Sequence, residues 1–168
     1  MFTDARGKGE PWGTEALGSL LLPVQGNNHQ SARYTSAAVD KNLEQMLPAD
    51  RQQRINEAEA LAVLQGILSH KHSLREVDLT VYIDSSAALG AIRKCYSQSQ
   101  FLAAIAGEIY LLCEHLSIRL WLSQIPSKLN PADGLSRLDL TEAIKYGWVR
   151  QKVQSVRWTT FQPPHPSA

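Results

Sequence analysis

Cysteine is scarce: the 168 residues hold two, Cys95 and Cys113. Neither has the close Cys or His companions that a zinc site needs. Both read as reduced core or helix residues, which implies a reducing compartment. Net charge is nearly absent too, since 17 Lys and Arg face 16 Asp and Glu to leave +1. No global field therefore draws in a polyanion, and a nucleic-acid partner has to be held by a local patch. No run approaches the ~18 apolar residues of a membrane span, and the opening MFTDARGKGEP lacks the apolar centre of a secretory leader. These absences point to a soluble intracellular protein, cytoplasmic or nuclear, with no membrane partner. No internal repeat is visible.

What is present is enough apolar residue, 43% of the chain, for one substantial core. MFTDA reads as the end of a strand, and a strand at an initiator methionine with nothing before it implies a fragment of a longer polypeptide. TEALGSLLLP and HQSARYTS add two strands around a VQGNN turn, an antiparallel meander over Met1 to Ser36. Ala37 to Arg54 shows no clear period and reads as a connecting loop with a helical turn. From Asn56, the positions Ala60, Leu61, Leu64, Ile67 and Leu68 repeat as one helical stripe to about His70. VDLTVYID alternates strictly and delivers Asp84 at its end. SSAALGAIRK and SQFLAAIAGEIYLLCEHL read as helices, SIRLWLSQI as a strand, and NPADGLSRLDLTEAIKYG as one or two closing helices. The order is βββαβααβα. Strands joined through helices run parallel, so the sheet should be mixed, within a main domain over residues 1–146.

Four acids lie at element edges where a sheet can gather them: Asp4, Glu59, Asp84 and Asp133. In a mixed sheet Asp4 and Asp84 can stand on neighbouring strands ~5 Å apart. Like charges that close need a cation, and hard oxygen donors suit Mg²⁺, with Mn²⁺ as a substitute. Two such ions ~4 Å apart stabilise both the attacking water and the departing oxygen of a phosphodiester displacement, so the expected chemistry is hydrolysis of a nucleic-acid backbone. Each acid singly also fits a local role. Asn56 with Glu59, and Asn130 with Asp133, have the spacing of helix caps, Pro131 suiting a first helical position. Asp4 fits a turn before Gly7, and Asp84 can cap the helix that follows it.

Taken together, FTDA with WG after it, INEAEALAVLQGI, VYIDSSAALGAI and IPSKLNPADGLSR span Phe2 to Arg137, about four fifths of the chain. They resemble the ribonuclease H domains of reverse transcriptases, above all those of gypsy-like and DIRS-like retroelements, and NPADGLSR is the most specific stretch. The resemblance implies an α/β ribonuclease H-like fold with a mixed five-stranded sheet flanked by helices. It implies a metal-binding quartet of Asp4, Glu59, Asp84 and Asp133, the family spacing selecting Glu59 over Glu57. Asp4 would bridge two Mg²⁺ ions, Asp84 and Glu59 holding one and Asp133 the other. The implied substrate is the RNA strand of an RNA–DNA hybrid, cut with little sequence preference. Ser85, Arg93, Lys128, Asn130 and Arg137 are the candidate substrate contacts. Arg6 departs from the family's small Ser, the RGKGEP loop is longer, and Lys128 stands in a loop where many members carry a His that bears on turnover. No polymerase motif is present, so a reverse-transcriptase polymerase domain is a candidate partner.

After Glu142 there is no acidic residue, yet Lys145, Arg150, Lys152 and Arg157 interleave with Tyr146, Trp148, Trp158 and Phe161. This extension, residues 147–168, fits a backbone-binding and stacking surface or a solvated linker, and QPPHPSA reads as linker. His70 and His72 suit the dipole at a helix end, Trp12 and Trp121 suit packing, and Ser85 suits a cap rather than a nucleophile. The competing reading is an inactive ribonuclease H-like module, its acids serving as caps, that binds nucleic acid or protein through this extension.

Overall fold

Alternating apolar positions build a meander first. β1 (Phe2–Arg6), β2 (Ala16–Leu21) and β3 (Arg33–Ala38) pair antiparallel in a computed structural model that describes residues 1–7, 15–23 and 32–159. Short α1 (Lys41–Met46) leads into α2 (Arg51–His70), where the Asp50 carboxylate accepts from the Gln53 amide at 2.8 Å. The long helix thus starts ahead of Asn56, because its first turn is polar and carries no stripe. Arg54 braces that end through hydrogen bonds to the buried Glu15 carboxylate and to the Leu47 and Pro48 carbonyls.

β4 (Asp78–Ile83), α3 (Ser86–Lys94), α4 (Gln100–His115) and β5 (Arg119–Gln124) complete the parallel part, followed by short α5 (Asp133–Ser136) and α6 (Thr141–Lys145). The sheet order is β5-β4-β1-β2-β3-β6, with β1, β4 and β5 mutually parallel. This is the expected mixed sheet with one strand more: β6 (Val149–Arg150) pairs parallel with β3, extending the sheet to six strands. The sequence of two residues is too short to show a period, so the sixth strand was not legible.

Strand alternation splits the apolar side chains between two faces. Ala5, Leu17, Val81 and Ile83 join Leu61, Leu64, Ile67, Ile105 and Ile109 in the main core under α2, α3 and α4. Leu20 and Tyr34 join Leu135 and Ala143 in a smaller cluster under α5 and α6. Residues beyond β6 lie along the helical layer: Gln154 N donates to Ser69 Oγ at 3.1 Å, Thr159 N to Glu108 Oε1 at 2.7 Å, and Trp158 meets Phe101 with ring centroids 5.5 Å apart. No helix among the described residues is long and apolar enough to cross a membrane. The turn at Val24–Asn28, Trp12, most of RGKGEP, Phe161 and the QPPHPSA tail lie outside the described residues.

Candidate metal centre and active site

Register brings the first two acids together. Phe2 stands opposite Tyr82 on the parallel strands β1 and β4, so two residues further along Asp4 stands opposite Asp84. α2 packs across β1, and in its third turn Glu59 accepts from the Ala5 amide at 3.1 Å. One carboxylate oxygen each from Asp4, Glu59 and Asp84 lie within 4.8 Å of one another. Glu59 is therefore no capping acid: it sits mid-helix, and is 4% exposed. Glu57, two residues earlier, points away from this group, because a two-residue step turns a helix by roughly 200°. Its carboxylate instead accepts from Ser99 Oγ.

Asp4 is held on its other side by residues from the NPADGLSR stretch. Ser136 Oγ donates to Asp4 Oδ2. Asn130 Nδ2 donates to Thr3 O at 2.9 Å and to Asp4 Oδ1 at 3.4 Å. Asn130 does not cap a helix, as its spacing suggested; its Oδ1 accepts from the Ala132 amide in a tight turn, and α5 begins at Asp133. Asn130 is 5% exposed, its Nδ2 spent on the strand beneath while its Oδ1 takes the Ala132 amide. Gly18, opposite Asp4 on β2, makes the approach feasible: a Cβ there would lie 2.6 Å from Ser136 N. Ser136 and Gly18 were missed in the sequence, where a small residue beside an acid carries no distinctive signal.

Asp133 lines the same cleft of about 340 Å³, with Arg6, Asn56, Ser85 and Arg137, but stands outside the close group of three. Arg137 Nε donates to both its oxygens at 3.1 and 3.0 Å. Of the other candidate contacts, Ser85 caps α3, accepting from Ala88 N at 3.1 Å, and donates to Asn56 Oδ1 at 3.3 Å. Arg93 donates to Leu122 O at 2.7 Å, on the far side of β4 from Asp4. Lys128 lines an adjoining cleft of about 650 Å³ that shares Ser127 and Asp133 with the acidic one.

The electrostatics of the group match its geometry. Burial, opposed by the Ser136 hydrogen bond and reinforced by Asp84 and Asp133, pushes the Asp4 carboxyl up to about 7. Burial, then the charges of Asp4 and Asp84, hold Glu59 well above the usual carboxylate range. Glu59 Oε2 is buried and has no hydrogen-bond partner among the described residues. Three converging carboxylates, one with an orphaned oxygen, are a donor set of the kind hard divalent cations take, and they fit such an ion.

His70 does not complement a helix dipole from solvent: it is 2% exposed, burial lowers it to about 4, and neutral Nε2 lies 3.0 Å from Ser19 Oγ. Trp121 is not core packing but 61% exposed on edge strand β5.

No protein-family model matches the sequence, and no curated protein is similar to it. Solved structures are. Ribonuclease H1 from the halophilic archaeon Halobacterium salinarum superposes with a TM-score of 0.60 at 17% identity, over 84% of this chain and 96% of that one. The chain has the ribonuclease H fold. The N-terminal ribonuclease H domain of a Mycobacterium tuberculosis protein gives 0.59 at 14% identity, covering 86% and 94%. LC11 ribonuclease H1 in complex with an RNA/DNA hybrid gives 0.51 at 20%, covering 85% and 96%. At these identities the likeness is one of ribonuclease H fold.

Proposed function

We propose that this chain is a metal-dependent endoribonuclease that hydrolyses the RNA strand of RNA–DNA hybrids. One observation carries the reading: side chains separated by up to 80 positions, Asp4, Glu59 and Asp84, converge within 4.8 Å in an open cleft while a buried Glu59 oxygen is left without a partner. Such a cluster is costly to a fold that does not use it. A ribonuclease H-fold neighbour in complex with an RNA/DNA hybrid supports the substrate class.

In this reading Asp4, Glu59 and Asp84 would hold a divalent cation and Asp133 would serve a second; Mg²⁺ suits the all-oxygen donor set. When bound, such ions lower the pKa of water and neutralise charge on the departing oxygen. The chain's own residues supply the rest. Ser136 and Asn130 fix the two Asp4 oxygens, Ala5 N fixes Glu59, and the Ser85–Asn56 contact sets the wall beside Asp84. Arg137 and Lys128 offer cations to the phosphates on either side of Asp133, and Ser85 lines the cleft where the sugar–phosphate backbone would pass, while Asn130, buried with its amide spent on Thr3 O and Asp4 Oδ1, positions Asp4 rather than substrate. The NPADGLSR wording supports a retroelement origin, with template positioning supplied by an associated polymerase domain.

Incubation with a labelled hybrid and Mg²⁺ tests the reading. We expect cleavage of the RNA strand, lowered about 10²-fold or more in Asp84→Asn. Intact RNA with the native chain, or undiminished cleavage by the variant, would refute it.

A further inference from the structure

The fourth carboxylate differs from the other three in what already occupies it. Both Asp133 oxygens accept from Arg137 Nε, and Arg137 itself lines the acidic cleft. The two residues are one helical turn apart with side chains 44% and 56% exposed. Such an i,i+4 pair in water contributes little and is exchanged readily for solvent or another cation.

We propose that Arg137 is the resident cation of the Asp133 side of the cleft, and that a divalent ion has to displace it before Asp133 becomes a ligand. The inference rests on the metal-site reading above and adds an order to it. The first ion enters among Asp4, Glu59 and Asp84. The second competes with a guanidinium that occupies both Asp133 oxygens and repels an incoming positive charge. Binding of the second ion is thereby made weaker than the first, and it releases Arg137 within the cleft, where five N–H donors suit a phosphate.

Titration of the full chain with Mn²⁺, read by the loss of the free-ion electron paramagnetic resonance signal, tests this without any activity measurement. We expect two unequal sites. Arg137→Gln should tighten the weaker one by about twofold, the measure of the lost pair, while Arg137→Lys, which keeps the charge, stays nearer the native value. On an Asp133→Asn background the Gln substitution should change nothing. A weaker site unaffected by Arg137→Gln, or the same tightening without Asp133, would overturn the displacement. No Mn²⁺ binding by the native chain would overturn the metal-site reading itself, and the two failures are distinct.

Discussion

Asp4 carries the electrostatic conflict of the cleft. Its carboxyl is buried beside two other acids, yet Ser136 and Asn130 donate hydrogen bonds to it. A carboxyl whose folded value is raised to about 7 binds a proton that the unfolded chain has already lost near 4. Between those values the unfolded state holds fewer protons, so this group's contribution to stability is present at low pH and declines as pH rises through 7. Glu59 acts in the same direction. His70, lowered to about 4, and the buried N-terminal amine, lowered to about 6, act oppositely. The clean observable is therefore the metal increment. A divalent ion must displace the carboxyl protons, so the rise in Tm on adding Mg²⁺ should grow as pH increases from 6 to 8. Thermal scans with and without Mg²⁺ check it. An increment independent of pH would mean that these carboxyls do not hold the ion.

At the scale of elements, α5 sits where it does because β2 has no side chain under it. Gly18→Ala would press a methyl against Ser136 N, a backbone atom that cannot yield by rotation. We expect a loss of about 1–3 kcal/mol in urea unfolding, with weaker hybrid cleavage because Ser136 moves off Asp4. Asp4 and Asp84 were legible in the sequence because strand ends are marked by alternation, and a parallel pairing places such ends together. Glu59 was separated from Glu57 only by the spacing that the family resemblance implies. The helical stripe that would have separated it from Glu57 is blurred, because Glu57, Ala58, Glu59 and Ala60 are all buried. The helix start was hidden for a related reason: Arg51 to Arg54 are polar on every side, so only the Asp50 cap marks them. Asn130 spends its side chain on β1, a contact 127 residues distant that no local pattern encodes.

For the whole molecule, the basic aromatic segment after α6 divides between two uses. Val149 and Arg150 extend the sheet, and Val156 and Trp158 pack against the main core. Lys152 and Arg157 remain exposed on it. Trp158 thus belongs to the fold, and Trp158→Ala should cost about 2 kcal/mol, less than a fully buried aromatic because the ring is half covered. Denaturant unfolding measures it, and a loss below about 0.5 kcal/mol would show that the segment is not held by Trp158. Composition alone could not assign this residue, since a tryptophan among cations reads equally as a stacking platform or as an anchor.

The convergence of the acids is tested most directly by anomalous scattering from crystals of the full chain grown or soaked with Mn²⁺. A strong peak bounded by Asp4, Glu59 and Asp84 is the expected result, with a second, weaker one beside Asp133. A map with no manganese among those carboxylates, at an ion concentration that saturates binding in solution, would contradict the metal centre and the nuclease built on it.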